Sequence, residues 1–112
     1  VSYCATCDAG FFRNKVVSVV GGRDVALTAS LLLAEYSKKV YIIYRKEKLR
    51  AEPLTLEKIK QNKKIEIIYN TNVIEVKGAK FVEKAILDKK HNNSNELKLD
   101  ALFIDIGKFF YK

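Results

Sequence analysis

The chain has 112 residues, is 48% hydrophobic, and carries 21 Lys and Arg against 13 Asp and Glu, a formal charge of +8. That length fits one domain with a working core, and no run of about 18 apolar residues is available to cross a membrane. The lysines are spread over every segment, without a basic stripe interleaved with aromatics, so nucleic acid is not the expected partner.

Lysine richness with glutamate on the same segments also suits a thermophilic surface. The sequence contains no methionine and is expected to be a piece of a longer chain. No signal peptide is expected, because the apolar stretch at Val16–Val20 is too short and runs into a turn and a helix. The expected location is cytoplasmic.

Residues 1–15 form a linker-like opening segment that holds both cysteines, in Val-Ser-Tyr-Cys-Ala-Thr-Cys-Asp. Cys4 and Cys7 are close enough to form a small, exchange-prone disulfide ring, more often a redox device than a staple. Asp8 can deliver or accept the proton that dithiol–disulfide chemistry moves. Zinc would need two more ligands, and the chain offers only His91, in a distant polar loop. A thioredoxin-type site needs a helix after the pair, whereas Ala9-Gly10-Phe11-Phe12 follows.

Val16–Val20 is a continuous apolar strand of the kind found inside a parallel sheet. Gly21 and Gly22 make a turn, and Asp24 to about Ser37 is a helix, apolar over most of its circumference. Lys38 and Lys39 stand at its C-terminal end, where cations suit the dipole. Val40–Tyr44 is the second strand, so Val16–Tyr44 reads as one βαβ unit. A basic loop follows, then a helix from Pro53 to about Asn62 and a third strand at Ile65–Tyr69. Asn72–Lys77, Phe81–Lys89 and Glu96–Leu99 read as antiparallel strands, the last two joined by an exposed polar loop from His91 to Asn95. Leu102–Ile106 is a last apolar strand ending at Gly107, and residues 108–112 form a tail. The expected fold class is α/β: a small Rossmann-like parallel sheet with flanking helices and an antiparallel meander on one face.

The turn Gly21-Gly22-Arg23-Asp24-Val25-Ala26 matches a dinucleotide fingerprint at its first glycine and final alanine, with Arg23 at the second glycine position. An arginine there either crowds a pyrophosphate or folds outward and donates to a phosphate. An ordinary strand–helix turn without a ligand is the plain alternative. Strand two ends in Tyr44-Arg45-Lys46, with Arg50 close behind, where an NAD site would carry an acid. Cations there suit a 2′-phosphate, which favours NADPH over NADH; the alternative is a solvated charge cluster. A redox pair beside such a turn points to electrons passing from a nicotinamide cofactor to a disulfide.

Taken together, Ser-Tyr-Cys-Ala-Thr-Cys-Asp-Ala-Gly-Phe-Phe, Val-Val-Gly-Gly-Arg-Asp-Val-Ala, Tyr-Arg-Lys-x-x-x-Arg-Ala and the closing Asp-Ala-Leu-Phe-Ile-Asp-Ile-Gly resemble the NADPH domain of low-molecular-weight thioredoxin reductases. The resemblance covers essentially the whole chain. It implies that NADPH reduces FAD, the flavin reduces the Cys4–Cys7 disulfide, and the dithiol reduces thioredoxin or a similar small redox protein. By motif position Cys7 would be the flavin-interacting thiol, Cys4 the thiol that attacks the partner, and Asp8 the acid–base residue. Gly21, Gly22 and Ala26 would shape the pyrophosphate site, with Arg23, Asp24 and Gly107 beside it, and Arg45, Lys46 and Arg50 would hold the 2′-phosphate. Tyr44 stands where a histidine is common in the family.

The FAD domain of the family flanks this one on both sides, so the chain alone is expected to lack FAD and to be inactive; whole members are expected as homodimers. Two other readings stay open. One is a non-catalytic nucleotide-binding domain with the cysteines as a redox sensor, and the other a related flavoprotein disulfide reductase serving another partner.

Overall fold

The computed structural model describes residues 13–21, 24–49, 51–78, 83–104 and 108–111, of which Ile104 and 108–111 as backbone. The central strand is β1 (Val16–Val20), flanked by β2 (Lys39–Ile43) and β7 (Ala101–Ile104); β3 (Ile65–Ile68) lies outside β2 and β8 (Lys108–Tyr111) outside β7. β3, β2, β1 and β7 run parallel, and β8 returns antiparallel along β7. The segment expected as a tail therefore supplies the sheet's fifth strand. Its Lys-Phe-Phe-Tyr run is short and lacks strand alternation, and only pairing with β7 makes it a strand.

Two helices cover one face, α1 (Asp24–Tyr36) and α2 (Pro53–Gln61). Side chains alternate across a strand, so Val17, Val19, Val40, Ala101 and Phe103 meet Ala26, Leu33 and Ala34 of α1, and Ile42 meets Leu27 and Ile59. The buried face of α1 is narrower than its composition implies. Ala26, Leu27, Ser30, Leu33 and Ala34 are buried, whereas Val25 is 71% exposed and Tyr36 lies at the surface. Its end is also closed differently. The helix stops at Tyr36, Lys39 opens β2, and it is Lys64 whose Nζ donates to the carbonyl of Ala34 at 3.0 Å. Asn14 donates its backbone N–H to the carbonyl of Tyr36, so two carbonyls of the last turn have partners from outside the helix.

The opposite face carries the expected meander of β4 (Val73–Lys77), β5 (Lys84–His91) and β6 (Ser94–Lys98), in the order β4-β5-β6. Ala85, Leu87, Leu97 and Leu99 pack on Ile43, Ile68 and Leu102, with Val16, Val20 and Tyr41 at the margin. Each fully buried leucine or isoleucine of this cluster, such as Leu87, Ile43 and Leu102, contributes about 1.5–3 kcal/mol. β1, sandwiched between helices and meander, is apolar at four of its five positions; the exception is Ser18.

The loop expected from His91 to Asn95 is shorter than its polarity implies. Asn92 and Asn93 have φ of 52° and 66°, the pair of positive values that a two-residue type I′ hairpin needs. His91 pairs with Ser94 across that turn, so His91 is the last residue of a strand. Its Nε2 lies 2.7 Å from Oε2 of Glu66, with the His91 side chain only 20% exposed. The contact is off the hydrogen-bonding direction, leaving Nε2 buried without a hydrogen-bond partner among the described residues. The attraction is thus that of a short ion pair whenever the imidazole carries its second proton.

Candidate nucleotide site at the carboxyl ends of the strands

In an open α/β sheet ligands bind beyond the carboxyl ends of the strands, where successive connections leave to opposite sides. Here that place lies beside β1, since the chain passes from β1 to β2 on one side and reaches β7 on the other only after the meander.

Gly21 ends β1 with φ at 142°, a region closed to residues with a Cβ. Its N–H donates to the carbonyl of Ile43 at 3.0 Å, fixing the turn to the end of β2. Gly22 and Arg23 lie outside the described residues, as do Cys4, Cys7, Asp8, Arg50 and Gly107. Ala26 is buried in the contact between α1 and the sheet, the close packing for which the fingerprint's last small residue is suited. Ser30 in the next turn bonds back to the Ala26 carbonyl at 2.8 Å.

Beyond β2, Tyr44 is pinned on both sides: its N–H donates to the Ile68 carbonyl at 2.9 Å and its carbonyl accepts from Thr71 at 3.0 Å. Tyr44 is buried, so little of it faces a ligand. Arg45 and Lys46 are exposed and form no ion pair among the described residues. The Lys46 carbonyl accepts from the N–H of Asn70 at 3.1 Å, and Asn70 itself has φ of 54°. A backbone clamp of Ile68, Asn70 and Thr71 thus holds the start of the basic loop while leaving its cations free to meet an anion. Nothing in the sequence singled out Asn70 or Thr71; a positive φ at asparagine and a backbone clamp leave no strong signature.

Asp24 is exposed at the start of α1, and its Oδ1 accepts from the N–H of Glu52 at 3.2 Å. Asp100, ahead of β7, binds the start of β1 through two bonds: Val16 N–H to its Oδ2 at 2.9 Å and its own N–H to the Val16 carbonyl at 2.7 Å. An open hollow of about 290 Å³ lined by Val16, Glu83, Lys98, Leu99 and Asp100 belongs to that amino end of β1 and is remote from Gly21.

Residues 16–90 match the pyridine nucleotide-disulphide oxidoreductase family. The chain belongs to that family. It is similar to the thioredoxin reductase of Treponema pallidum (strain Nichols), at 43% identity over 96% of this chain and 35% of that protein, and to the thioredoxin reductase of Helicobacter pylori (strain J99), at 44% identity over the same shares. Among solved structures, thioredoxin reductase from Streptococcus pyogenes superposes with a TM-score of 0.84 at 31% identity, covering 91% of this chain and 34% of that one. The α/β architecture is that of these oxidoreductases. The chain spans about a third of the length of the relatives it matches, and no described helix is long and apolar enough to cross a membrane.

Proposed function

We propose that this chain is the NADPH-binding and redox-disulfide part of a flavoenzyme that reduces thioredoxin or a similar small redox protein. The observation that carries the reading is the pairing of Gly21, whose φ of 142° leaves no room for a Cβ, with two exposed cations lacking counter-ions among the described residues, Arg45 and Lys46, at the end of the neighbouring strand. A pyrophosphate fits a backbone without a side chain, and a 2′-phosphate fits the cations.

In this reading Gly21 and Gly22 let the pyrophosphate approach, Ala26 keeps α1 close to β1, and Arg45, Lys46 and Arg50 hold the 2′-phosphate. Gly107 would contribute to the same cofactor site. The nicotinamide, when bound, supplies a hydride. FAD would be held by the part of the enzyme beyond the third spanned here, and the 1–15 segment would present the cysteines to it. Reducing the Cys4–Cys7 disulfide takes two electrons and two protons and leaves two thiols. Cys7 would face the flavin, Cys4 would attack the partner's disulfide, and Asp8 would carry a proton between thiol and solvent.

Calorimetry of the full-length protein with NADPH and NADH tests the site: NADPH should bind more tightly, and equal affinities would remove the 2′-phosphate assignment. Oxidation should cost the protein two hydrogens by mass with no intermolecular dimer.

Arg23 in place of the fingerprint glycine favours one further reading, a nucleotide site that is blocked. A protein that binds neither nucleotide at millimolar concentration, and gains both with Arg23→Gly, would establish it. With Arg23 turned outward, the same substitution leaves both affinities nearly unchanged.

A further inference from the structure

We propose that Asp24 is a positioning residue: its carboxylate ties the basic loop to the helix behind the glycine turn and thereby sets the preference for a 2′-phosphorylated nucleotide. The inference rests on the 2′-phosphate reading of Arg45, Lys46 and Arg50 given above.

The loop from Arg45 to Glu52 leaves β2 under the clamp of Ile68, Asn70 and Thr71 and ends at the start of α2. Between these ends Leu49 and Ala51 rest against the cluster of Leu27, Ile42 and Ile59, a contact that fixes depth but has little directional content. Glu52 is the N-cap of α2, with φ −62° and ψ 145°, and its own side chain makes no capping bond. The directional restraint comes instead from its N–H, which donates to Oδ1 of Asp24 at 3.2 Å across 28 positions of sequence. Among the described residues no other hydrogen bond joins α1 to this loop.

The two halves of the nucleotide site ride on different elements. Gly21 and Ala26 belong to the β1–α1 junction, and the cations belong to the loop that follows β2. A dinucleotide spans both, so the distance between them decides whether pyrophosphate and 2′-phosphate are met together. Asp24 closes the ring that holds this distance. A carboxylate placed directly against phosphate would repel it; a carboxylate engaged with a backbone N–H of the loop is partly neutralised and does useful work at a remove. Losing a hydrogen bond of this kind lets the loop sample other positions and weakens the interaction it supports by about two- to tenfold.

The test uses the full-length protein, with NADPH and NADH titrated by calorimetry into the wild type, Asp24→Ala and Asp24→Asn. Asp24→Ala should weaken NADPH by about two- to tenfold and leave NADH unchanged. Asp24→Asn, which keeps an Oδ1 acceptor without the charge, should restore most of the preference, and amide exchange at Glu52 should rise in the first variant and fall back in the second. Unchanged preference in Asp24→Ala overturns the proposal, as does an equal change for both nucleotides, which would place Asp24 at the pyrophosphate. So does a loss of thermal stability without any change in preference, which is all that a charge at the helix terminus would give. A wild type that takes both nucleotides equally defeats the 2′-phosphate reading itself, and the proposal falls with it for that separate reason.

Discussion

The two ends of one parallel sheet use their cations differently. At the amino ends of β2 and β3, Lys39 places Nζ 3.0 Å from Oε1 of Glu66 and 5.4 Å from the centre of the Tyr41 ring, and His91 meets the other oxygen of Glu66 while standing edge-on to Tyr41. Lys39, Tyr41 and Glu66 share the meander face of the sheet, and His91 brings the tip of the β5–β6 hairpin onto them. At the carboxyl end of β2, Arg45 and Lys46 are exposed and without an ion pair among the described residues. A net charge of +8 therefore includes both a cation paired within the sheet, Lys39 with Glu66, and cations without an ion pair among the described residues, Arg45 and Lys46. Residue type alone does not separate the two; pairing does.

The sharpest way to break this division is to remove one cation from each end. Arg45→Ala should weaken NADPH by roughly tenfold or more, the loss expected for a charged hydrogen bond to phosphate of about 1.5–3 kcal/mol, and leave NADH nearly unchanged. Lys39→Ala should leave both affinities as they were. Calorimetry on the two variants decides it, and an equal effect from both would mean that long-range charge and not local contact attracts the nucleotide.

Between the two ends, at the middle of β1, Ser18 is fully buried and its hydroxyl finds no hydrogen-bond partner among the described residues. It faces the meander between Tyr41 and Leu102, its register partners on either side. An unmet buried hydroxyl costs about 1–3 kcal/mol, and replacing it by a methyl group changes volume little. Ser18→Ala should then raise stability by about 1 kcal/mol in denaturant unfolding, with no effect on nucleotide preference. Lower stability would show that the hydroxyl is used in the full-length protein.

Much of this layout is legible in the sequence. The apolar runs at Val16 and Val40 and the proline at the start of α2 each reflect a local rule, and β1, β2 and α2 formed within a residue of where that rule puts them. What escaped was set by contacts distant in sequence. Lys39 reads as a helix-end cation, but the parallel register of Tyr41 opposite Glu66 brings Lys39 to Glu66 instead. His91 reads as a loop residue in a run of five polar residues, because the two-residue turn at Asn92 and Asn93 is invisible until both are known to take positive φ. Lys108–Tyr111 reads as a tail because an edge strand borrows its order from its neighbour. In the candidate site Gly21, Arg45 and Lys46 were visible as motif residues, whereas the clamp at Asn70 and Thr71 acts through backbone groups that any sequence carries.

The smallest expected effect sharpens the amino-end half of the comparison. Burial pushes the Glu66 carboxyl up, but the hydrogen bond and charge of Lys39, with the charge and contact of His91, outweigh it and hold the carboxyl below its ordinary value of 4.5. A group depressed in the folded state contributes stability that is present above its unfolded pKa and lost as pH falls through the folded one. The stabilisation should therefore be complete near neutral pH and fade only below about pH 4.5. Its size is modest, because the Glu66 side chain is 36% exposed and such pairs contribute about 0–1 kcal/mol. Glu66→Gln should accordingly be slightly less stable than wild type at pH 7 and should converge on it in acid, as read by denaturant unfolding at a series of pH values. His91→Ala should give part of the same loss and raise amide exchange at Asn93 and Ser94, while exchange at Glu52, at the other end of the sheet, stays unchanged. A Glu66→Gln deficit that persists undiminished at low pH would assign the contribution to packing against Tyr41 and not to charge, and the amino end would then be held as the rest of the meander is, by apolar contact alone.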